Sequence, residues 1–142
     1  MAAGLALSPQ SFESFSEAFS EAIKKHLEGK KPIIELMTDG ELEASEITLK
    51  NAELLRSASP WGQGFEEPIF YGDFELIDQK IVGEKHLKCT LKLDGASSIF
   101  EGIAFFQDKI ETKQVKVAYK LNVNSFRGNE SLQLMIESIA PQ

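Results

Sequence analysis

The chain has 142 residues, 42% of them hydrophobic and 26% charged, a composition that excludes both a large multidomain enzyme and a disordered chain. Fifteen Lys and Arg residues against 22 Asp and Glu give a formal net charge of -7. Bulk positive charge therefore cannot hold this chain on DNA or anionic lipid, and any contact with nucleic acid must be local.

The features that report on compartment all favour the cytoplasm. A single cysteine, Cys89, excludes an internal disulfide and favours a reducing environment. The apolar residues 1–7 lack a basic flank and run into Ser8-Pro9, which is typical of a helix start and not of a signal peptide. No other apolar run approaches the roughly 20 residues that a membrane-spanning helix needs. We therefore expect a soluble, cytoplasmic protein without a membrane partner.

The first 59 residues predict a helix, a short strand and a second helix. The first helix is expected to begin with Ser8 as N-cap and to run to about Glu28, with Gly29, Lys30-Lys31 and Pro32 ending it. One of its stripes is apolar: Phe12, Phe15, Phe19 and Ile23. The strand is expected over Pro32–Met37 and the second helix from about Ser45 to Ala58.

From residue 60 the apolar period changes from about 3.6 to 2, which predicts a domain boundary between 59 and 60. Five strands are expected, at 69–82, 86–93, 98–106, 115–124 and 131–138. The second and fourth alternate cleanly between apolar and polar residues, whereas the pattern of the third does not orient it. Five short antiparallel strands favour an OB-fold barrel over a sandwich of seven or more strands. The predicted class is α+β, with helix–strand–helix over 1–59 and a five-stranded antiparallel barrel over 60–142.

The sequence shows no set of catalytic residues. It has only two histidines and lacks Cys-x-x-Cys, a phosphate-binding glycine loop and a Gly-x-Ser-x-Gly motif. His26 is explained as a cation at the end of a helix. No catalytic residue, metal site or cofactor is therefore predicted in this chain.

Basic residues follow two of the predicted strands. One run is Lys85, His86, Lys88 and Lys92, and the other is Lys116, Lys120 and Arg127. In an OB-fold these positions border the oligonucleotide groove, although alternating lysines also serve simply to solubilise a sheet face.

Two aromatic segments also allow two interpretations each. Phe126-Arg127-Gly128-Asn129 suits either base stacking with phosphate binding or a tight hairpin. Trp61 suits interdomain packing more than base stacking.

Four segments, in register along the chain, resemble the C-terminal region of the RecJ family of bacterial single-stranded-DNA-specific exonucleases. They are Pro60-Trp-Gly-Gln-Gly-Phe-Glu-Glu-Pro68, Val82-Gly-Glu-Lys-His-Leu-Lys88, Ala118-Tyr-Lys-Leu-Asn122 and Phe126-Arg-Gly-Asn-Glu-Ser-Leu-Gln-Leu134. In that family a DHH-type core holds two divalent metal ions, Mg or Mn, and cleaves DNA from a 5′ end. The Asp-His-His motif of this core is missing from the chain, so the resemblance implies a non-catalytic part of such an enzyme.

The resemblance also implies roles for particular residues. Residues 1–59 would be the end of a DHHA1-type subdomain, and 60–142 an OB-fold that binds single-stranded DNA for repair and recombination. Trp61 and Phe65 would pack between domains. Phosphates would be bound by Lys85, Lys88, Lys92, Lys120 and Arg127, and bases or sugars by His86, Phe126 and Asn129. The alternative is an interaction module that docks the catalytic core or the single-stranded-DNA-binding protein.

Overall fold

The computed structural model describes residues 4–27, 35–58, 60–83 and 85–142. Its contacts divide the chain into two units, 1–36 and 37–142. None of the described helices is long and apolar enough to cross a membrane.

The first unit contains one helix. A 3-10 turn, Pro9–Ser11, leads into α1, Phe12–His26, close to where the sequence predicts the helix. The predicted stop at Glu28 to Pro32 lies outside the described residues. The apolar stripe of α1 is present, with Phe15 stacked on Phe19 at 5.5 Å between ring centroids. None of the helix residues is buried.

The second unit begins with a short strand and a helix. Of the strand expected over Pro32–Met37, the described part (35–37) has no regular structure, and β1 is instead Gly40–Glu41. Asp39 sets this position, because its backbone N–H donates to the Ile69 carbonyl (2.7 Å) and its carboxylate accepts from the Ile69 N–H (2.9 Å). Helix α2, Leu49–Ala58, begins four residues later than expected. Thr48 caps it, since the Thr48 hydroxyl accepts from the Asn51 N–H at 3.2 Å.

Five long strands follow near their predicted positions: β2 Phe70–Val82, β3 His86–Leu93, β4 Ile99–Phe105, β5 Gln114–Phe126 and β6 Asn129–Pro141. They pair in the order β2-β3-β4-β6-β5, and β5 pairs again with β2, which closes the circuit. With β1 the sheet has six strands.

The sheet is mixed, so the expectation of five antiparallel strands is wrong in this respect. Strand β1 is parallel to β2, and β4 is parallel to β6. The second of these follows from the topology. Because β2–β3, β3–β4, β2–β5 and β5–β6 are all antiparallel, β4 and β6 must run in the same direction.

The barrel interior orients the strand that the sequence leaves ambiguous. Phe100, Gly102 and Ala104 of β4 face inward, so Ile99, Glu101, Ile103 and Phe105 face outward. Position 102 is crowded: a Cβ atom there would lie 2.8 Å from Ile136 Cδ1 and 3.0 Å from Cys89 Sγ, so any larger residue would have to push these side chains aside. Cys89 is itself buried, and burial raises the pKa of its thiol to about 11.

Helix α2 packs on β5 and contributes the buried Ala52 to the core. Together with the pairing of β1 and β2, this packing assigns residues 37–59 to the same unit as the barrel. The sequence pattern instead places them with the preceding subdomain.

Candidate nucleic-acid interface

The strand lysines of the two predicted basic runs lie beside carboxylates. Their Nζ–O distances are 2.8 Å for Lys88–Glu101, 4.0 Å for Lys92–Glu75, 3.6 Å for Lys116–Asp73, 3.3 Å for Lys120–Glu137 and 3.6 Å for Lys120–Glu67. Partly exposed pairs of this kind contribute only about 0–1 kcal/mol each. Because each of these lysines has a carboxylate beside it, they do not create a local excess of positive charge.

Lys85, the remaining lysine of the first run, lies exposed in the turn between β2 and β3. Near this turn lies a further cation, Lys80, that the sequence did not indicate. Lys80 of β2 lies directly opposite Lys88 of β3 in the ladder, on the outer face. Within the described part of the chain, Lys80 and Lys85 form no ion pair. Lys80, Lys85 and Lys88 are here called the lysine patch. Like charges opposite each other repel, and Glu101 is the one carboxylate paired with the patch among the described residues, so three cations face one anion and a further anion is favoured beside them.

Lys80 could not be predicted because a bulge reverses the alternation of β2. The register shifts between Leu76, whose side chain is inside, and Asp78, which pairs with the outward Thr90. A regular strand would turn Lys80 inward, and the extra residue turns it outward.

Next to the lysine patch, His86, Phe105 and Phe106 form an aromatic cluster. The His86 ring contacts Phe105 and Phe106 edge-on, with centroids 4.9 and 5.2 Å apart. The two phenyl rings are 50% and 80% exposed. Phe106 has φ +54°, which is rare for a bulky residue, and its N–H donates to His86 Nδ1 at 3.4 Å. The Phe105-Phe106 pair at the end of β4 could have indicated this cluster, but the sequence did not show which face of β4 points outward.

The segment that follows Phe106 is anchored by one side chain of β2. The Gln79 amide donates to the Ile110 carbonyl (2.6 Å) and accepts from the Ile110 N–H (2.9 Å). Both backbone groups of Ile110 are therefore paired, and Phe106 lies at the start of a segment with a fixed position.

The predicted segment Phe126-Arg127-Gly128-Asn129 forms a tight turn. Phe126 pairs with Asn129, and both central residues have positive φ, +52° for Arg127 and +82° for Gly128. This geometry is that of a two-residue hairpin. The Phe126 ring is 64% exposed, and the Arg127 guanidinium lies 5.1 Å from its centroid. Asn129 is exposed as the first residue of β6.

The β2–β3 turn, beside the first basic run, and the β5–β6 turn, which holds Arg127, lie at opposite ends of the outer face of β3 and β4. His86 pairs with Phe105 at one end, beside the β2–β3 turn, and Lys92 pairs with Ile99 at the other. Because β6 runs parallel to β4, its start at Asn129 lies toward the Ile99 end. The structure thus gathers Lys85, His86 and Lys88 at one end and brings neither Lys120 nor Phe126 next to them.

The predicted packing residues stack on each other. The Trp61 and Phe65 rings lie 4.9 Å apart, and the Trp61 indole N–H donates to the Leu55 carbonyl of α2 at 2.8 Å. Backbone hydrogen bonds join Gly62 and Phe65. Within the second unit, Trp61 therefore holds its loop against α2. A role between domains stays a prediction.

Among the described residues, no three His, Cys, Asp or Glu side chains come together as metal ligands. The phosphate and base contacts predicted for single residues likewise stay predictions.

Comparison with protein families gives one matching family model, described as the RecJ OB domain, over residues 38–138. The single-stranded-DNA-specific exonuclease RecJ of Salmonella typhimurium is 43% identical over 146 residues, and that of Escherichia coli is 42% identical over 146. Each alignment covers 99% of this chain and 25% of the relative, so the chain spans about a quarter of the length of these relatives.

A solved structure has the same fold. The crystal structure of RecJ from Thermus thermophilus in complex with Mn2+ superposes with a TM-score of 0.57 and 22% identity. The superposition covers 98% of this chain and 20% of that one. At this identity the likeness shows the fold alone.

Proposed function

The chain belongs to the RecJ OB domain family, and we propose that it is a non-catalytic module that binds single-stranded DNA in a RecJ-like 5′-3′ exonuclease of DNA repair and recombination. The proposed binding surface is the outer face of β3 and β4.

The observation that carries this proposal is the aromatic cluster beside the lysine patch. Exposed rings offer stacking platforms for bases, and cations beside them suit the phosphates of the same strand. Two phenyl rings at least half exposed, one of them on a strained backbone, serve no packing purpose in the barrel core.

The ion pairs of the strand lysines fit this role as well. A pair such as Lys88–Glu101 is partly exposed and weak, so a phosphate can replace its carboxylate at little cost. Stacking and backbone charge discriminate poorly among bases, and we therefore expect little dependence on base sequence.

The rest of the enzyme is the second proposed partner. The apolar stripe of α1 exposes Phe12, Phe19 and Ile23 within its own unit, as expected of a helix that packs on further protein. Cleavage and the Mg or Mn ions would belong to the part of the relatives that this chain does not cover. The single-stranded-DNA-binding protein stays a predicted partner.

Titration of a labelled oligo(dT) with the full chain tests the proposal. We expect Phe105→Ala with Phe106→Ala to weaken binding roughly 5- to 150-fold, because stacking contributes about 1–3 kcal/mol per base. Phe12→Ala, which removes an equally exposed ring from α1, is the matched control and should leave affinity unchanged. Equal affinity of the cluster variant and the control would refute the assignment.

A further inference from the structure

Residues 120–133 form an arm that extends beyond the barrel. Strand β5 leaves β2 after Tyr119, and β6 joins β4 only at Leu134. Between these points β5 and β6 pair only with each other, and the turn at Arg127 closes them. The arm takes seven residues of β5 (120–126) and five of β6 (129–133), which is about 20 Å of ribbon.

One face of the arm is committed to the fold. Val123 and Leu132 lie opposite each other and pack against the core. On the same face, Glu130 accepts hydrogen bonds from Arg56 of α2 (3.2 Å) and from Ser125 (3.1 Å). Helix α2 therefore covers this face.

The other face carries amides and a hydroxyl, with the exposed Phe126 ring at its tip. Asn122 lies opposite Gln133, and Asn124 opposite Ser131. These four residues, here called the amide face, are half-buried or exposed and carry no charge. Their side chains form no hydrogen bond with any other described residue. Lys120 lies at the base of this face and Arg127 at the tip.

Apart from the Phe126 ring at its tip, this face differs in chemistry from the aromatic cluster. Stacking on single strands needs rings and cations, and packing against protein needs apolar side chains. Paired amide donors and acceptors instead match the edges of base pairs, and the major groove of DNA admits a two-stranded ribbon. Arg127 at the tip suits a phosphate that flanks a groove, and Lys120 at the base can bind one in exchange for its carboxylate partners Glu67 and Glu137.

We propose that the amide face binds in the major groove of duplex DNA. The inference rests on the proposed function only in that DNA is the ligand. The single strand would lie on the outer face of β3 and β4, whose Ile99 end points toward the arm, so a duplex bearing a single-stranded tail uses both surfaces.

The test measures affinity of the full chain, at one low salt concentration, for a labelled single strand, a blunt duplex and a duplex with a single-stranded tail. Wild type should bind the tailed duplex more tightly than the single strand. Replacing three amides (Asn122→Ala, Asn124→Ala, Gln133→Ala) should abolish that advantage, a loss of about tenfold or more, while single-strand affinity stays unchanged.

Two further variants make the result specific. Gln10→Ala with Gln142→Ala removes exposed amides outside the arm and should have no effect. Asn122→Asp keeps the shape of the side chain, so its folding should be unaffected, and its charge should repel the duplex. Circular dichroism checks that each variant is folded.

The outcomes are separable. The proposal is overturned if wild type binds the tailed duplex no better than the single strand, if the triple variant keeps the advantage, or if it loses single-strand affinity to the same extent. Unchanged single-strand binding in the Phe105 and Phe106 variant would refute only the proposed function, and this inference would still stand if the triple variant loses the duplex contribution.

Discussion

Phe106 combines two properties that a stability argument alone does not explain. Its ring is 80% exposed, and its backbone has φ +54°. A left-handed backbone costs roughly 1–2 kcal/mol for residues other than glycine, so this position stores strain. The strain presents the ring beside His86 and Phe105, which is consistent with a ligand-binding role.

A matched pair of variants measures this strain. Phe106→Gly and Phe106→Ala both remove the ring, so they differ mainly in backbone preference. We expect the glycine variant to be the more stable by about 1 kcal/mol in urea unfolding, although glycine ordinarily destabilises a structured segment. A more stable alanine variant would mean that φ is not positive at this position.

Gly102 allows a test of packing inside the barrel. We expect Gly102→Ala to lower the free energy of unfolding by about 1–3 kcal/mol, because the new Cβ would meet Ile136 Cδ1. Ile136→Val removes that atom, and in the double variant it should recover part of the loss, as a double-mutant cycle would show. Gly62→Ala has open space around its Cβ and serves as the control. Strictly additive effects would contradict this account.

At the scale of elements, the arm is held to α2 by a charged hydrogen bond that acid should remove. The Arg56 guanidinium first, and then the Ser125 hydroxyl, lower the pKa of Glu130 below its usual value of 4.5. Because the folded pKa is the lower one, the stabilisation is complete above about pH 4.5 and is lost as the pH falls through the folded pKa.

Comparing wild type with Glu130→Gln tests this dependence. The difference in urea midpoint should be present at neutral pH and vanish in acid, once Glu130 is protonated in both states. A difference that stays constant through the acid range would show that the carboxylate charge plays no part. Glu13→Gln, on α1, controls for general loss of charge.

The sequence predicted which face points inward for some strands and not for others. Strands β3 and β5 were oriented correctly because one side of each is wholly apolar. Strand β4 was not, since Ile99 and Phe105 outside and Phe100 inside are all apolar, and only its register with β3 decides between the faces. Cross-strand partners such as Glu101 for Lys88 also depend on register, so the balance of charge at the predicted site could not be read from spacing.

For the whole molecule, the net charge of -7 opposes binding to a polyanion, and only local cations overcome it. If the lysine patch and Lys92 neutralise about four phosphates, log affinity for a single strand should fall with log salt at a slope near -3, from about 0.7 per phosphate.

Removing two of these cations should change the slope by a defined amount. Lys80→Gln with Lys85→Gln should make it shallower by about 1.4. Lys24→Gln with Lys25→Gln removes the same charge from α1 and should leave the slope unchanged. Identical slopes for both double variants would place the phosphates elsewhere.

The division of the whole chain was also only partly visible in the sequence. The change of period at residue 60 marks where strands begin, and it predicted the barrel strands well. Contacts, however, join α2 and β1 to those strands, so the compact unit starts at Met37. Periodicity reports the type of an element, whereas its packing partner is a property of the folded chain.

The paired hydrogen bonds between Gln79 and Ile110 have an evolutionary consequence. The Gln79 carboxamide makes the two hydrogen bonds to Ile110 that a neighbouring strand would otherwise make. The residues between Phe106 and Ile110 therefore need no strand partner to hold this segment in place. Insertions and deletions should accumulate in that stretch among homologues, provided that an amide is retained at the position of Gln79.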